Sequence, residues 1–301
     1  MSLIKEFAIE PRVMATWQHF RELWEDFGAG QGRLISKYPV LWKSRVDELA
    51  RQFSKPVQAA AISSKIRRDE HKFLATGRTY SGADNWLVNA LSQTAIKPFH
   101  AVIACENPAG ATGVLVAGEF AKDELPYKVV LEDFVSRKAR DLAGCAGLLL
   151  EHCEELQFVD PHFDPSEPRF RNTFEAMFQL CNTGSLKTLE IHREKPNPFI
   201  PGVQEAKYRR QLELLVPANT ILRVYFWSQN QGGLGLHPRF LLTDLGGIHF
   251  ENGLDEGDPG EATLVKPLTH EVWQKCRAFY CKQSAAFTLA PDCVIDVAGR
   301  G

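Results

Sequence analysis

The sequence lacks the features that mark several large classes of protein. Its 301 residues contain no apolar run near the roughly 18 residues that a membrane span needs. The seven cysteines are an odd number and form no CxxC pair, which argues against a disulfide framework and a zinc knuckle. The N-terminal residues lack the charged and then apolar layout of a secretory signal. We therefore expect a cytoplasmic protein whose thiols are free and mostly buried.

An excess of charge of one sign is also missing. Lysine and arginine number 35 against 37 aspartates and glutamates, a formal net charge of −2. No global field therefore draws the chain to nucleic acid or to an anionic membrane, and any phosphate site must be local. The 44% of hydrophobic and 24% of charged residues exclude a disordered or collagen-like chain and fit one or two domains with a full core.

Residues 1–95 are predicted to form a helical N-terminal region. Apolar residues recur there at helical spacing in two stretches, Val13, Trp17, Phe20, Trp24 and Phe27, and then Trp42, Val46, Leu49 and Phe53. Burial in the core is the favoured explanation, and a groove for a protein partner is the alternative. The basic run at 65–83 is typical of a solvated helix face, with phosphate contact as a secondary interpretation.

From residue 96 onward the pattern changes to strands and helices in alternation. Strand-like runs at 99–104 and 113–117 precede a predicted helix at 129–152 and a strand that ends near Asp160. Helices and strands then alternate up to residue 227, and 236–243 with 248–250 form a predicted hairpin. The sequence therefore predicts an α/β domain over 96–301, with a mixed sheet flanked by helices.

The most informative stretch opens this hairpin. His237, Arg239 and Asp244 stand at positions i, i+2 and i+7, and strand periodicity places the first two on one face. An arginine fork beside an imidazole suits a phosphate group, because the fork binds two oxygens while the imidazole faces phosphorus. Asp244 falls on the opposite face, where we expect it to hold the turn or a neighbouring backbone group.

This pattern resembles the phospholipase D-like superfamily, whose signature is H-x-K-x4-D on a strand, turn and strand. The run from His237 through Gly246-Gly247 to Gly253-Leu254-Asp255 is most similar to the phospholipase D-like C-terminal domain of MIT-domain proteins. In that branch an upstream strand ends in D-P-Y, and Asp160-Pro161-His162 is the counterpart here. The resemblance covers roughly residues 130 to 280.

The resemblance implies a phosphodiesterase that needs no metal or other cofactor, with a nuclease as the favoured activity. His237, Arg239 and Asp244 would form its catalytic set. In the superfamily one histidine attacks phosphorus to form a phosphohistidine, and a second histidine protonates the leaving oxygen. Because this chain carries one motif, two copies of His237 would have to meet across a two-fold axis, which predicts a homodimer.

Two departures from the signature favour a different function. Arginine replaces lysine at Arg239, and the stretch that follows the motif reads Glu251-Asn252-Gly253, so the usual glycine, serine and later asparagine are displaced. In the MIT-type branch, the H-x-R form is associated with binding phosphate-bearing ligands or membranes and not with hydrolysis. The alternative is therefore a module that binds phosphate groups of nucleic acid, phospholipid or a protein complex.

Four further residues are candidates for ligand contact, namely Asp160, His162, Asn252 and Asp255. Asp160 either orients an imidazole through its second nitrogen or anchors an Asx turn. Asp255 either orients His237 or Arg239, or caps the amides of its own turn. His249, on the second strand of the hairpin, is interpreted as a solvated histidine.

Overall fold

The computed structural model describes residues 2–300, and the chain divides into two compact units. The first unit comprises residues 4–130, and the second comprises residues 131–300 together with residues 2 and 3. The predicted boundary near residue 95 falls inside the first unit. The strand-like runs at 99–104 and 113–117 complete the sheet of that unit and do not open the next domain.

The first unit alternates strands with helices. Its strands are β1 (Lys5–Ile9), β2 (Arg33–Ser36), β3 (Phe73–Leu74), β4 (Ala101–Ala104) and β5 (Val114–Val116). Its helices are α1 (Pro11–Ala15), α2 (Trp17–Leu23), α3 (Trp42–Phe53), α4 (Pro56–Arg68) and α5 (Trp86–Ile96). The five strands are parallel and lie in the order β3-β2-β1-β4-β5.

Helices cover both faces of this parallel sheet. On one face, Phe7 and Ile103 belong to a buried cluster with Val13 and Trp42 from the helical segments. On the other face, alternate residues of the same strands pack against Trp86 of α5. Since both faces are covered, the sheet has the three-layer arrangement expected for parallel strands.

The presence of β1 to β3 corrects the prediction of a purely helical N-terminal region. β1 carries no clear alternation of polar and apolar residues, because it begins Lys5-Glu6 and is buried beyond that point. The Glu6 carboxylate is itself buried against Arg78, whose Nε and Nη2 lie 3.0 and 2.6 Å from its two oxygens. A charged residue that is neutralised by a partner 72 positions away conceals a core strand from local pattern analysis.

The core interpretation of the aromatic stripes is confirmed. Val13, Phe20, Trp24 and Trp42 are all buried in the first unit. These side chains therefore support the parallel sheet and are not available to a protein partner. Phe53, at the end of α3, is the exposed member of the second stripe.

The second unit contains the larger sheet. Its strands are β6 (Asp133–Ser136), β7 (Glu155–Val159), β8 (Thr188–Glu194), β9 (Ile221–Gln229), β10 (Phe240–Thr243), β11 (Gly247–Phe250), β12 (Ala262–Pro267), β13 (Phe287–Thr288) and β14 (Val294–Ala298). Its helices are α6 (Ala139–Cys145), α7 (Gly147–His152), α8 (Pro168–Phe178), α9 (Pro201–Leu212) and α10 (His270–Phe279).

The larger sheet is mixed and flanked by helices, which confirms the predicted α/β class. β7, β8 and β9 are parallel, whereas β10 runs antiparallel to β7 and is followed across the sheet by β11, β12 and β6. β13 and β14 both pair antiparallel with β9. Aromatic contacts between Phe158 and Phe174 and between Phe226 and Tyr208 place α8 and α9 on one face, and α10 packs on the other.

The helix predicted at 129–152 is wrong over its first part. Residues 133–136 form β6, and two short helices follow it. β6 pairs with β12, more than 120 residues further along the chain, as in the register Val135↔Thr263. Long-range pairing of this kind leaves no local periodicity to detect. Within residues 2–300, no helix combines the length and the apolar character needed to cross a membrane.

A buried chain of polar side chains crosses the centre of the larger sheet. Within β8, His192 Nε2 lies 3.2 Å from Glu190 Oε2. The Glu190 carboxylate also accepts hydrogen bonds from Gln157 Nε2 at 2.8 Å and from the Tyr225 hydroxyl at 3.2 Å. The Trp227 indole N–H donates to His192 Nδ1 at 3.1 Å. The buried carboxylate and imidazole therefore both have partners, as their burial requires.

These contacts determine the protonation state of His192. An indole can only donate, so His192 Nδ1 carries no proton and Nε2 donates to Glu190. Burial lowers the pKa of His192. Burial opposes the charge of Glu190, but the hydrogen bonds from His192, Gln157 and Tyr225 outweigh it and lower the pKa of that carboxyl. At neutral pH the pair is a neutral imidazole beside an ionised carboxylate.

We expect His192 to make the protein less stable as the pH falls from about 7 towards 5. The unfolded chain binds a proton at the ordinary histidine pKa of about 6.5, whereas the folded protein keeps this imidazole neutral, so stability rises with pH in this window. The effect is at most about 1.4 kcal/mol per pH unit. Urea unfolding of the full chain at several pH values measures it.

His192→Gln provides the test, because glutamine retains a donor and an acceptor without titrating. This variant should flatten the pH dependence, whereas the exposed control His162→Gln should keep it. An unchanged dependence in His192→Gln would contradict the assignment. Glu190 acts in a separate window, because a carboxyl with a lowered pKa stabilises the fold above its unfolded pKa of about 4.3 and loses that effect below it.

Candidate functional site

The segment that carries His237 and Arg239 is an extended loop that leads into β10. β10 begins at Phe240, so His237 and Arg239 precede the strand on which they were expected to lie. Pro238 stands between them and has no N–H to donate to a sheet, which delays the start of regular pairing. Register still determines where this loop ends, because Phe240 pairs with Val159 and thereby places Arg239 at the carboxyl end of β7.

The His237 side chain is exposed and lies against the backbone of Gly235. A Cβ atom at position 235 would come within 2.7 Å of His237 Cδ2, closer than real Cβ contacts occur. Glycine is therefore required at this position for the imidazole to take its present orientation. The Gly-rich loop before the motif thus has a specific packing role beside the histidine.

The Arg239 guanidinium is only partly used by the protein. Its Nη1 donates to the Glu251 carbonyl oxygen in a long hydrogen bond of 3.4 Å. Its Nε is buried and has no hydrogen-bonding partner among residues 2–300. A buried N–H without a partner costs roughly 1–3 kcal/mol, so the arrangement favours any acceptor that reaches this group.

Asp160 joins the end of β7 to the turn that follows β11. One carboxylate oxygen accepts from the His162 amide at 2.9 Å, and the other accepts from the Leu254 amide at 3.0 Å. The first contact is the Asx turn that was one of the two expected roles of this residue. Burial raises the pKa of Asp160, while the two amides and the nearby charge of Arg239 favour its ionised form. Both oxygens are occupied by backbone, so Asp160 supports the site and is not positioned to orient a histidine.

Asp255 is buried in the same turn and is held by two arginines. Arg137 Nη2 lies 2.7 Å from one carboxylate oxygen, and Arg169 Nη1 lies 3.0 Å from the other. Arg137 also pairs with Glu261 through Nη1 at 2.9 Å. Neither of the roles expected for Asp255 matches this arrangement, because its charge is neutralised by Arg137 and Arg169 and not by His237 or Arg239.

His249 differs from its interpretation as a solvated histidine. It is half-buried in β11, pairs with Phe240 across the hairpin and contacts that ring at 5.4 Å between centroids. Burial lowers the pKa of His249, and the neighbouring charges of Lys266 and Arg239 lower it further, while Glu251 acts in the opposite direction. The sequence signal available for His249 was its alternation with Phe250 along β11. The other three residues of that strand are buried.

Asp244 does not reach this site, which corrects its place in the predicted catalytic set. It follows β10, about 17 Å along the strand from Arg239 at the ordinary rise of a β-strand. Its Oδ1 accepts from the amides of Glu154 and Glu155 at 2.9 and 3.1 Å. Holding a neighbouring backbone segment is the role that strand alternation had indicated.

His162 and Asn252 lie at the surface near Asp160. His162 is exposed directly after the carboxyl end of β7. Asn252 is exposed too, its amide nitrogen donates to Thr263 Oγ1 at 3.0 Å, and its side chain makes a long contact of 3.5 Å with the Ala262 carbonyl oxygen. Both side chains are therefore accessible to a ligand without being directed into a closed pocket.

The basic run at 65–83 in the first unit is largely neutralised by the protein itself. Lys65 pairs with Glu25 at 2.5 Å, and Arg68 pairs with Asp69 at 2.7 Å. Lys72 is buried and donates to two main-chain carbonyl groups. These contacts favour the structural interpretation of the run over phosphate contact.

The sheet of the first unit presents the edge at which open α/β sheets commonly bind ligands, beside the point where the strand order reverses. That point lies between β1 and β4, and the Glu10 carboxylate occupies it by accepting from the Cys105 amide at 2.7 Å. Burial raises the pKa of the Cys105 thiol to about 12, with Glu10 adding to the effect. The thiol is therefore protonated at neutral pH and is not a nucleophile.

Among residues 2–300, no group of three His, Cys, Asp or Glu side chains is arranged to hold a metal ion. Comparison with protein-family models, with curated proteins and with solved structures found no match for the chain. The resemblance to the phospholipase D-like superfamily therefore depends on the quoted motif residues alone.

Gly253 leaves room at this turn for the carboxylates of Asp160 and Asp255. We therefore expect Gly253→Ala to destabilise the second unit. Its φ is +118°, and a Cβ atom there would collide with Asp255 Oδ1 while lying 3.6 Å from Asp160 Oδ2. Left-handed backbone costs a residue with a Cβ about 1–2 kcal/mol, and the collision adds to it because Asp255 is held in place. Urea unfolding measures the loss.

Gly260→Ala is the matched control for Gly253→Ala. Gly260 has a φ of +94°, but nothing lies within 4 Å of the added Cβ, so this variant isolates the backbone cost. We expect Gly253→Ala to lose at least about 1 kcal/mol more than Gly260→Ala. Equal losses in the two variants would show that the contact with Asp255 does not constrain the turn.

Proposed function

We propose that the second unit binds phosphate-bearing ligands at a site formed by Arg239, His237 and His249. The observation that carries this proposal is the unsatisfied Arg239 guanidinium, whose buried Nε–H has no protein partner within residues 2–300. A planar fork with free donors matches two oxygens of a phosphate group. The exposed imidazole of His237 stands two residues away, and His249, whose imidazole is neutral at pH 7, lies within range of the charges of Arg239 and Lys266.

We also propose that this unit has a phospholipase D-like fold. The motif elements behind the resemblance come from distant parts of the chain, and the Asp160 carboxylate links two of them directly through the Leu254 amide. The hairpin of β10 and β11 then delivers Arg239 to the same end of β7. Convergence of these elements at one end of the sheet supports a common functional role for them.

Binding is the function that the geometry favours over hydrolysis. Asp160 and Asp255 are engaged by amides and by Arg137 and Arg169, and Asp244 lies at the far end of β10. No one of these three carboxylates is therefore free to orient His237 as a nucleophile. Arg239, which these carboxylates do not engage through hydrogen bonds, is left for an anionic ligand.

Hydrolysis is a second candidate because the charge of Arg239 acts on His249 across the hairpin. Two imidazoles near one guanidinium would let a single chain supply both the nucleophile and the general acid of a phosphodiesterase. The predicted homodimer would then not be needed for catalysis, and homodimer formation stays a prediction.

Arg239→Ala should weaken the binding of phosphodiesters by about ten- to a hundredfold, because a charge-assisted contact contributes roughly 1.5–3 kcal/mol. The probe is a short fluorescent oligothymidylate at fixed, low salt, with titration followed by anisotropy. The exposed Arg140 of the same unit gives the control Arg140→Ala, which should lose little affinity. Vesicles that contain phosphatidic acid, with cosedimentation as the readout, test a lipid source of the same group.

Equal losses for Arg239→Ala and Arg140→Ala would show nonspecific charge attraction and reject the site. Absence of binding to both probes by the wild-type protein would reject the proposed function itself. Cleavage of the oligothymidylate that is abolished in His237→Ala would replace binding by hydrolysis as the function.

Affinity for the oligothymidylate should rise as the pH falls from about 7 to 5. In the free protein, burial and the charges of Lys266 and Arg239 lower the pKa of His249, so its imidazole is neutral. A bound diester anion favours the imidazolium, so binding takes up a proton and strengthens at low pH, at most about tenfold per pH unit for one group. Phosphodiesters keep a constant charge between about pH 5 and pH 7, so a change of affinity over this range comes from titration of the protein.

His249→Gln should reduce this slope, whereas the control His270→Gln, in α10 near the far end of β10, should preserve it. A slope that is unchanged in His249→Gln would remove His249 from the site. Arg239 would still be tested independently by the experiment above.

A further inference from the structure

A cavity of about 620 Å³ opens in the second unit between the edge strands and the segment that precedes β14. It lies over β9 and β14, away from the residues that surround Arg239. Its size falls within the roughly 300–1,000 Å³ of pockets that bind small molecules. Its lining combines three charged groups, one phenol and an apolar wall, so charge and shape both restrict what it can hold.

The charged groups give the cavity a net positive charge. Arg223 and Lys282 contribute two positive charges, and Asp296 contributes one negative charge. Asp296 Oδ1 accepts a hydrogen bond from Arg223 Nε at 3.2 Å. This contact leaves the two outer nitrogens of the guanidinium for other partners. Lys282 is exposed at the mouth of the cavity. A ligand with an anionic group can therefore contact both cations.

Tyr225, which lines the cavity, is hydrogen-bonded to the buried polar side chains that cross the sheet. The Tyr225 hydroxyl donates to Glu190 at 3.2 Å, and Tyr225 raises the pKa of the neighbouring Arg223 guanidinium. Glu190 is in turn held by His192 and Gln157. Tyr225 is therefore held in place by buried hydrogen bonds, and Asp296 holds Arg223 beside it, which reduces the entropy lost on binding.

The opposite wall of the cavity is apolar. Leu289, Ala290, Pro291 and Val294 line it, and the first and last of these also pack against the core under α10. An inorganic anion alone would leave this surface in contact with water. A ligand with an apolar body would cover it and gain about 25 cal/mol for each Å² removed from water.

We propose that this cavity binds a small organic acid, with its anionic group at Lys282 and Arg223 and its apolar body against Leu289 and Val294. Carboxylate, sulfonate and phosphate monoester heads share the chemistry that the two cations recognise. The site is distinct from the Arg239 site, and neither depends on the other.

Isothermal titration calorimetry of the full chain with three probes tests this inference. The first probe, 1-naphthoate, has both the charge and the apolar body and should bind. The second, 1-naphthamide, has the same shape without the charge and should bind at least about tenfold more weakly, since a charge-assisted contact contributes roughly 1.5–3 kcal/mol. The third, inorganic phosphate, lacks the apolar body and should also bind more weakly at this site.

Variants assign the binding to this cavity. Lys282→Gln should weaken naphthoate binding about tenfold, whereas the exposed Lys275→Gln in α10 should not change it. Ala290→Trp fills the cavity and should abolish binding, with circular dichroism as a check that the chain is folded. Arg239→Ala should leave naphthoate affinity unchanged, which separates the two sites.

Equal affinity for naphthoate and naphthamide would overturn the inference, because it would show a site that recognises apolar surface alone. Naphthoate binding that survives Lys282→Gln together with Ala290→Trp would place the ligand elsewhere and also overturn it. Failure of wild-type protein to bind naphthoate at millimolar concentration would do the same. Loss of binding in Lys282→Gln, with Lys275→Gln unaffected, would support it even if Ala290→Trp does not fold.

Discussion

The functional end of the second unit depends on one buried carboxylate. Asp160 accepts hydrogen bonds from the His162 and Leu254 amides, and so joins the end of the central strand β7 to a turn more than 90 residues further on. Because a carboxyl group that leaves water must have hydrogen-bond partners, the chain can bury Asp160 only with the two backbone segments in place. That requirement holds the end of β7 and the 253–255 turn together, while the β10 pairing brings Arg239 to the same end.

The same rule of satisfied charge distinguishes structural from functional groups elsewhere in the molecule. Asp255 is balanced by two arginines, Glu190 by three hydrogen-bond donors, and Glu6 by a bidentate arginine. Arg239 departs from this rule, since its guanidinium makes a long hydrogen bond to a main-chain carbonyl and its buried Nε lacks a partner within residues 2–300. The Nε of Arg137 also lacks a partner there, but that guanidinium is paired with two carboxylates. An unsatisfied donor is a liability for stability and an advantage for binding, because a ligand can supply the acceptor that the fold leaves out.

Much of the fold was accessible to local pattern analysis. The helix at 42–53 has the predicted bounds, and the hairpin and the alternation around β8, α9 and β9 occur where the periodicity indicated. The failures share one cause. β1, β2, β3 and β6 are short strands whose neighbours lie far away in the chain, so their formation depends on pairing and burial and not on their own sequence.

In the candidate site, too, some features follow from the local sequence and others from long-range contacts. By itself, the sequence determined which chemical groups are present, namely an imidazole and a guanidinium before a hairpin and a carboxylate at a strand end, because residue type and spacing are local properties. Tertiary structure alone decided which of those groups remain free to act. It occupied Asp160 and Asp255, separated Asp244 from Arg239 along β10, and paired His249 with Phe240 across the hairpin, within range of the Arg239 charge. The physical reason is that hydrogen bonding and burial depend on distances between segments that no local pattern records.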